Sequence, residues 1–163
     1  MITNLLPPAF VLILGAMLIP FLNGKLKAAF MLGLPVICFI TLLNLSPSTI
    51  WVVDFWGYEL IFGRIDKLSI IFSYVFTIMA FLGVLFALQV KDNLQHVSGL
   101  IYAGSTLGVV LAGDFLSLYL FWEVMAVSST FLIIASRTKA SKEAGFRYIL
   151  VHLIGGLFLL AGI

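Results

Sequence analysis

Residues 113–134 read GDFLSLYLFWEVMAVSSTFLII, an apolar run long enough to cross a lipid bilayer as an α-helix. One carboxylate, Glu123, lies nine residues beyond Asp114. That is about 13 Å along a helix, close to half of a roughly 30 Å hydrocarbon core. A charged side chain at that depth costs at least ~2.5 kcal/mol, so it usually faces protein or water and usually serves a function. We therefore expect a membrane-spanning helix here, with Glu123 as its candidate functional residue.

The composition of the whole chain predicts the same class of protein. Of 163 residues, 63% are hydrophobic and 10% are charged, whereas a soluble domain has about 25% charged residues. The net charge of +2 is too small to indicate nucleic acid, so no nucleic-acid partner is expected. The single cysteine, Cys38, lies in an apolar run and gives no support for a disulfide or a zinc site.

Six apolar segments are predicted to be membrane helices, which makes residues 1–163 a single membrane domain of the all-α integral membrane class. The first segment lacks the basic start and the cleavage pattern of a signal peptide, so we expect it to be retained as a span. The predicted helices cover residues 5–22, 28–45, 68–90, 97–112, 115–136 and 148–163.

Residues 46–67 differ from the helices around them. They mix aromatic residues with isolated charges and two glycines, a pattern typical of a short amphipathic β-hairpin lying on the outer surface of the membrane, with Gly57 near its turn. The aromatic side chains of this segment are predicted to anchor it at the membrane interface: Trp51, Phe55, Trp56 and Tyr58.

The distribution of basic residues predicts the orientation of the chain. With the N-terminus and the C-terminus outside, the outer loops carry only Arg64 and Lys67, as the positive-inside rule requires. The inner loops then carry seven basic residues: Lys25, Lys27, Lys91, Arg137, Lys139, Lys142 and Arg147. The last four of these belong to a predicted basic loop over residues 137–147.

Small and hydroxylated residues recur at helical spacing in two spans. Ser69, Ser73 and Thr77 share one face of the third span, where they either line a hydrated path or pack against a neighbouring helix. Gly104 and Gly108 of the fourth span form a small-xxx-small pair, which predicts close helix packing.

Three ionisable side chains in or beside the spans are candidates for ion transfer. Glu123 is either a neutral acid hydrogen-bonded to a neighbour or a titratable station in an ion pathway, and Tyr119 and Thr130 lie on its face of the helix. The imidazole of His152 exchanges protons near neutral pH, so it is either a relay or a group bonded to a nearby carbonyl. Counted from the predicted loop, His152 lies roughly 13 Å nearer the inner surface than Glu123. Asp114 is expected to cap the fifth helix, with proton access as the alternative.

The sequence contains no phosphate-binding loop, dinucleotide fingerprint, metal-ligand cluster or nucleophile paired with a base. No cofactor or metal is therefore expected in this chain, and any redox chemistry would belong to other chains. We expect a subunit that does no catalysis itself.

The run around Glu123 resembles the fifth-helix signature of the antiporter-like subunits of respiratory complex I, energy-converting membrane hydrogenases and Mrp-type sodium/proton antiporters. The likeness looks nearest to the D-type subunits of the Mrp antiporters. Residues 63–69 (GRIDKLS), the basic loop, and residues 143–148 (EAGFRY) are similar to that family in order and spacing. The resemblance covers nearly the whole chain.

The resemblance implies that this chain takes part in moving protons or sodium ions across the membrane. In this family, the glutamate at the position of Glu123 pairs with a lysine on a broken seventh helix. The membrane helices of the family form two inverted repeats. This sequence departs from the pattern because it holds neither that lysine nor that helix. We therefore expect a split subunit, a truncated duplicate that serves as a spacer, or a fragment.

These observations predict a multi-pass subunit of a multi-chain complex in a prokaryotic plasma membrane, taking part in proton or sodium translocation coupled to redox chemistry or antiport. Its expected partners are the lipid bilayer and other membrane subunits, one of which carries a lysine facing Glu123. The alternative is a structural or assembly spacer of such a complex without an ion path of its own. A free-standing small transporter is a third hypothesis.

Overall fold

The fifth apolar segment forms a continuous helix of 20 residues, about 30 Å long, which packs against the helix before it and the helix after it in the chain. A computed structural model describes residues 6–47, 49–55 and 57–163. In chain order the elements are α1 (Pro8–Leu18) with a short 3₁₀ turn (Ile19–Phe21), α2 (Gly24–Leu43), β1 (Ile50–Phe55), β2 (Tyr58–Arg64), α3 (Lys67–Ala87), α4 (Asn93–Leu111), α5 (Phe115–Ile134) and α6 (Lys139–Gly162).

Five of the described helices, α2 to α6, are long and apolar enough to cross a membrane, so the chain is a multi-pass helical membrane protein. The first helix is shorter than predicted. It begins after Pro7 and tightens into the 3₁₀ turn at Pro20, because proline cannot donate the backbone hydrogen bond that continues an α-helix. Residue 5, where the first span was predicted to begin, lies outside the described residues.

The predicted basic loop is wrong over most of its length, because α6 already begins at Lys139. Arg137 has a positive φ of 57°, which ends the helical path of α5. Thr138 then caps α6 by accepting a hydrogen bond from the Ser141 N–H at 3.0 Å. Charged residues are compatible with helix and only raise the cost of membrane burial. The cap at Thr138 therefore sets the start of α6, and not residue 148, where the apolar segment begins.

α4 lies at the centre of the bundle and packs against α1, α3 and α5. A Cβ atom on Gly104 would lie 2.9 Å from the carbonyl oxygen of Ala9 in α1, and a Cβ on Gly108 would overlap the ring of Phe121 in α5. The two helices approach α4 this closely because these positions carry no side chain. The close packing predicted from the small-xxx-small pair is confirmed.

The hydroxyl stripe of α3 lies inside the bundle rather than on an open surface. Ser73 is 0% exposed and Thr77 is 1% exposed. Each hydroxyl donates to the carbonyl four residues earlier in its own helix, at 2.7 Å in both cases. This geometry favours the packing alternative, and a path-lining role for these two residues stays a prediction.

β1 and β2 form an antiparallel hairpin between α2 and α3, with Gly57 at the turn in a left-handed conformation (φ 82°). Trp51 is 5% exposed and packs over Gly63, so its predicted role as an interfacial anchor is wrong: the ring fills the space that a side chain at position 63 would take. Phe55 and Tyr58 are exposed. Trp56, also predicted as an anchor, lies outside the described residues.

The connecting segments that carry basic residues lie together at one end of the bundle. Arg137 forms an ion pair with Asp92 at 3.1 Å, and Lys27 donates a hydrogen bond to the side chain of Asn93 at 2.6 Å. The connections before α2, between α3 and α4, and between α5 and α6 therefore meet at one end, as their shared basic character predicts. The hairpin lies at the other end.

Candidate functional site

The carboxyl group of Glu123 lies in the seam between α5 and α6. Its Oε1 atom is buried and has no hydrogen-bond partner among the residues that the structure describes. The ion pair found within those residues joins Arg137 to Asp92, so Glu123 has no cationic partner there either. A buried carboxyl oxygen without a partner loses its hydration and gains nothing in return, which costs about 1–3 kcal/mol or more.

Gly156 of α6 makes room for this carboxyl group. A Cβ atom at position 156 would overlap Oε1 of Glu123 and would lie 3.2 Å from its carboxyl carbon. The same Cβ would lie 3.5 Å from Cε2 of Tyr119, one helical turn before Glu123. The neighbouring Gly155 is exposed, and a Cβ there would meet nothing within 4 Å. Gly156 is therefore part of the site, a role that sequence reasoning missed.

His152 lies one helical turn from Gly156, on the same face of α6. Its ring stacks on Tyr148 at 4.9 Å and on Trp122 of α5 at 6.1 Å between ring centroids. The predicted depth gap between His152 and Glu123 is wrong, because it was counted from Arg147, which the structure places well inside α6. In the observed packing of α6 on α5, Gly156 lies against Glu123 and Gly145 against Ile134. His152, four residues before Gly156, therefore lies about 6 Å nearer the basic end of the bundle than Glu123, about half of the predicted gap.

The other predicted residues of α5, Tyr119 and Thr130, lie on the same face of that helix as Glu123. Tyr119 borders Gly156 beside Glu123. Thr130 is 7% exposed, and its hydroxyl donates to the Ala126 carbonyl at 2.8 Å. Ser129, which sequence reasoning did not single out, shares a hydrogen bond of 3.0 Å with the Tyr148 hydroxyl. Polar groups of α5 and α6 therefore extend from the basic end of the bundle towards Glu123.

Asp114 is a structural residue at the start of α5. Its carboxylate accepts hydrogen bonds from the Ser117 N–H at 2.7 Å, the Ser117 hydroxyl at 2.6 Å, and the Ile61 N–H of β2 at 2.6 Å. Partial burial raises the pKa of Asp114, but the hydrogen bonds from Ser117, Ile61 and Leu116 outweigh it, so the pKa lies below its ordinary value. The residue caps a helix and ties the hairpin to the bundle.

Replacing Asp114 with Ala is expected to lower the free energy of unfolding by about 1–2 kcal/mol, the cost of losing a helix cap. Because the folded pKa is depressed, the carboxylate stabilises the fold at pH values above its unfolded pKa of about 3.9, and this contribution disappears as pH falls through the folded pKa. Unfolding of the detergent-solubilised chain at pH 7 and at acidic pH measures the difference. Glu59→Ala, at an exposed hairpin position, is the control; an equal loss in both variants would contradict the capping role.

The described residues hold no group of three or more His, Cys, Asp or Glu side chains that could bind a metal ion. Cys38 is buried, and its Sγ donates to the carbonyl of Pro8 at 3.6 Å. The ionisable groups that the seam offers are the carboxyl group of Glu123 and the imidazole of His152, and their role in ion transfer stays a prediction.

The sequence of the chain is similar to those of known proteins, and the similarity includes the helices of this site. Residues 112–163, which contain α5 and α6, match the family described as NADH:quinone oxidoreductase/Mrp antiporter, TM. The Na(+)/H(+) antiporter subunit A1 of Staphylococcus haemolyticus is 32% identical over 168 residues, which cover 90% of this chain and 20% of that protein. Its counterpart in Staphylococcus aureus strain bovine RF122 / ET3-1 is 30% identical over 179 residues, covering 99% of this chain and 22% of that protein.

The chain thus spans about a fifth of the length of these curated relatives. Both are A1 subunits, so the nearer likeness to the D-type subunits stays a prediction. The family match falls on the two helices that hold Glu123, Gly156 and His152, while the similarity to subunit A1 extends over nearly all of the chain. The chain belongs to the class of antiporter-like membrane subunits that complex I shares with the Mrp cation/proton antiporters.

Proposed function

We propose that this chain is part of a multi-subunit membrane complex that moves protons or sodium ions, and that it supplies Glu123 to the ion path. The observation that carries the proposal is the buried Oε1 of Glu123, which has no partner among the described residues. An isolated chain would be more stable if this carboxyl group were paired or absent, since a buried polar atom without a partner is costly. The cost is understandable if the group takes up and releases a cation.

An exposed apolar stripe on α5 beside Glu123 supports the approach of a helix from another subunit. Leu120, Val124, Val127 and Phe131 recur every three or four residues, and all of them are exposed in this chain. They form an apolar stripe that suits contact with another membrane helix. A lysine on such a helix, from another subunit, would reach Glu123 from the stripe, in keeping with the pairing implied by the family resemblance.

His152 is the proposed second station of the path. It lies about one helical turn nearer the basic end than Glu123, between the rings of Trp122 and Tyr148. Beyond Tyr148, the hydroxyl of Ser129 continues the polar seam towards the basic end. A water molecule between His152 and Glu123 would complete a hydrogen-bonded route, because the imidazole both donates and accepts.

The proposed arrangement in the membrane has six spans, with α1 as a short first span, and with both termini outside. The clustered basic connections then face the cytoplasm, as the positive-inside rule favours. The bacterial relatives support a prokaryotic plasma membrane as the location. The hairpin would lie on the outer surface.

A spacer function is the second candidate, and the surface of α6 favours it. Val151, Leu157 and Phe158 are 71%, 61% and 74% exposed, so the outer face of α6 is a broad apolar surface suited to helix contacts. The two functions differ in their dependence on one carboxyl group. Ion flux through the assembled complex with Glu123→Gln decides between them, because a spacer needs the chain but not the charge.

A further inference from the structure

An apolar groove of about 420 Å³ runs between α3 and α4 on the side of the bundle away from Glu123. Cβ atoms at Gly83 and Gly99 would meet nothing within 4 Å, so the space above these two residues is open. Five of the residues that line the groove have small side chains or none: Ala80, Gly83, Ala87, Gly99 and Ala103.

The groove leads into a second cavity, of about 380 Å³, at the basic end of the bundle. Met31, Val90 and His96 line both cavities and join them. The second cavity is polar, with the side chains of Asn23, Lys27, Lys91 and Asn93 at its wall. One continuous surface therefore changes from apolar to cationic where the helices leave the membrane.

Within the described part of the chain, the charges at the polar cavity remain largely uncompensated. Lys27 is held at the wall by its hydrogen bond of 2.6 Å to Asn93, a neutral partner. The nearby acidic residue, Asp92, pairs with Arg137 at 3.1 Å. Lys27 and Lys91 thus contribute positive charge to the cavity.

We propose that this surface binds an anionic phospholipid, with the acidic headgroup at Lys27 and Lys91 and an acyl chain in the groove over Gly83 and Gly99. From Gln95 to Thr106, the groove follows twelve residues of α4, about 17 Å, which exceeds the roughly 15 Å half-thickness of a bilayer core and so reaches the headgroup region. Basic pockets between membrane helices on the cytoplasmic side are suited to anionic headgroups.

The dimensions favour a lipid chain over a protein helix as the occupant. A helix about 10 Å across and 17 Å long occupies roughly 1,300 Å³. This is more than the whole empty space in and above the groove, about 1090 Å³, so part of the helix would stand outside the opening. A flexible acyl chain fits inside. The inference does not depend on the role of Glu123, because the surface is formed by α2, α3 and α4, and the one residue of α5 that lines it is Leu132.

The test uses the assembled complex in phosphatidylcholine vesicles that contain a trace of photoactivatable phosphatidylglycerol or photoactivatable phosphatidylcholine. Labelling of residues 79–106 is measured by mass spectrometry after irradiation. We expect the anionic probe to label this segment more than tenfold more than the neutral probe, since each lysine near an anionic group favours it by about fivefold. Equal labelling by the two probes would overturn the proposal. Absence of labelling by either would also overturn it and would indicate a protein partner over the groove.

Matched variants separate the headgroup from the chain. Lys27→Gln with Lys91→Gln is expected to reduce labelling by the anionic probe to the level of the neutral one, while Lys142→Gln, at an exposed basic position outside both cavities, leaves it unchanged. Gly99→Leu fills the groove and lowers labelling by both probes; Gly155→Leu is the control at an open glycine of α6. An anionic preference that survives the double lysine variant shows that the assignment of the headgroup site is wrong.

Discussion

Glu123→Gln in the assembled complex is expected to lower ion-coupled proton flux by roughly 100-fold, the lower end of what loss of a proton-transferring side chain costs. Glutamine has nearly the same shape as glutamic acid, so it fits against Gly156 and leaves the seam between α5 and α6 packed. It cannot take up a proton or bind a cation by charge. The flux is measured with a pH-sensitive dye in vesicles containing the complex, and assembly is measured on a native gel.

Glu143→Gln is the matched control for this experiment. Glu143 lies in the first turns of α6, is exposed, and loses the same charge in the same substitution. We expect the proton flux of the Glu143→Gln complex to equal that of the unchanged complex. If Glu123→Gln assembles normally and also transports normally, Glu123 is not part of an ion path, and the spacer function becomes the better account of the chain.

The sequence predicted those features that depend on neighbouring residues along the chain. An apolar run between Asp114 and Arg137 predicts α5, because the cap and the break are both local. Gly57 between two strand-like runs predicts the hairpin. The pair Gly104 and Gly108 predicts close packing, although not which helices approach it.

The features that sequence reasoning missed depend on how helices pair. α5 and α6 run antiparallel around the break at Arg137, and this register alone brings Gly156 to Glu123 and Trp122 to His152. The predicted start of α6 is wrong because a cluster of basic residues is equally compatible with a loop and with a solvated helical turn. With the cap at Thr138 recognised, α6 begins at Lys139, and His152 then lies within about one helical turn of the depth of Glu123.

Gly156→Ala is expected to reduce proton flux by about tenfold or more, since moving a reacting group by only about 1 Å can cost on the order of 100-fold. The added methyl group would take the place now held by Oε1 of Glu123, so the carboxyl group must swing out of the seam. The stability cost is expected to stay below about 1 kcal/mol. Glutamate is flexible, and alanine favours helix over glycine by about 0.8–1.0 kcal/mol. Flux and the free energy of unfolding are measured on the same preparation.

Gly155→Ala provides the control at the adjacent position, where the added methyl group meets open space. We expect it to leave the flux unchanged. In a complex that already carries Glu123→Gln, the Gly156→Ala change should lower the flux no further, because both substitutions act on the same carboxyl group and their effects do not add. Equal flux in the Gly155 and Gly156 variants would show that the position of the Glu123 carboxyl group in the seam does not matter for transport, and that its burial against α6 serves packing alone.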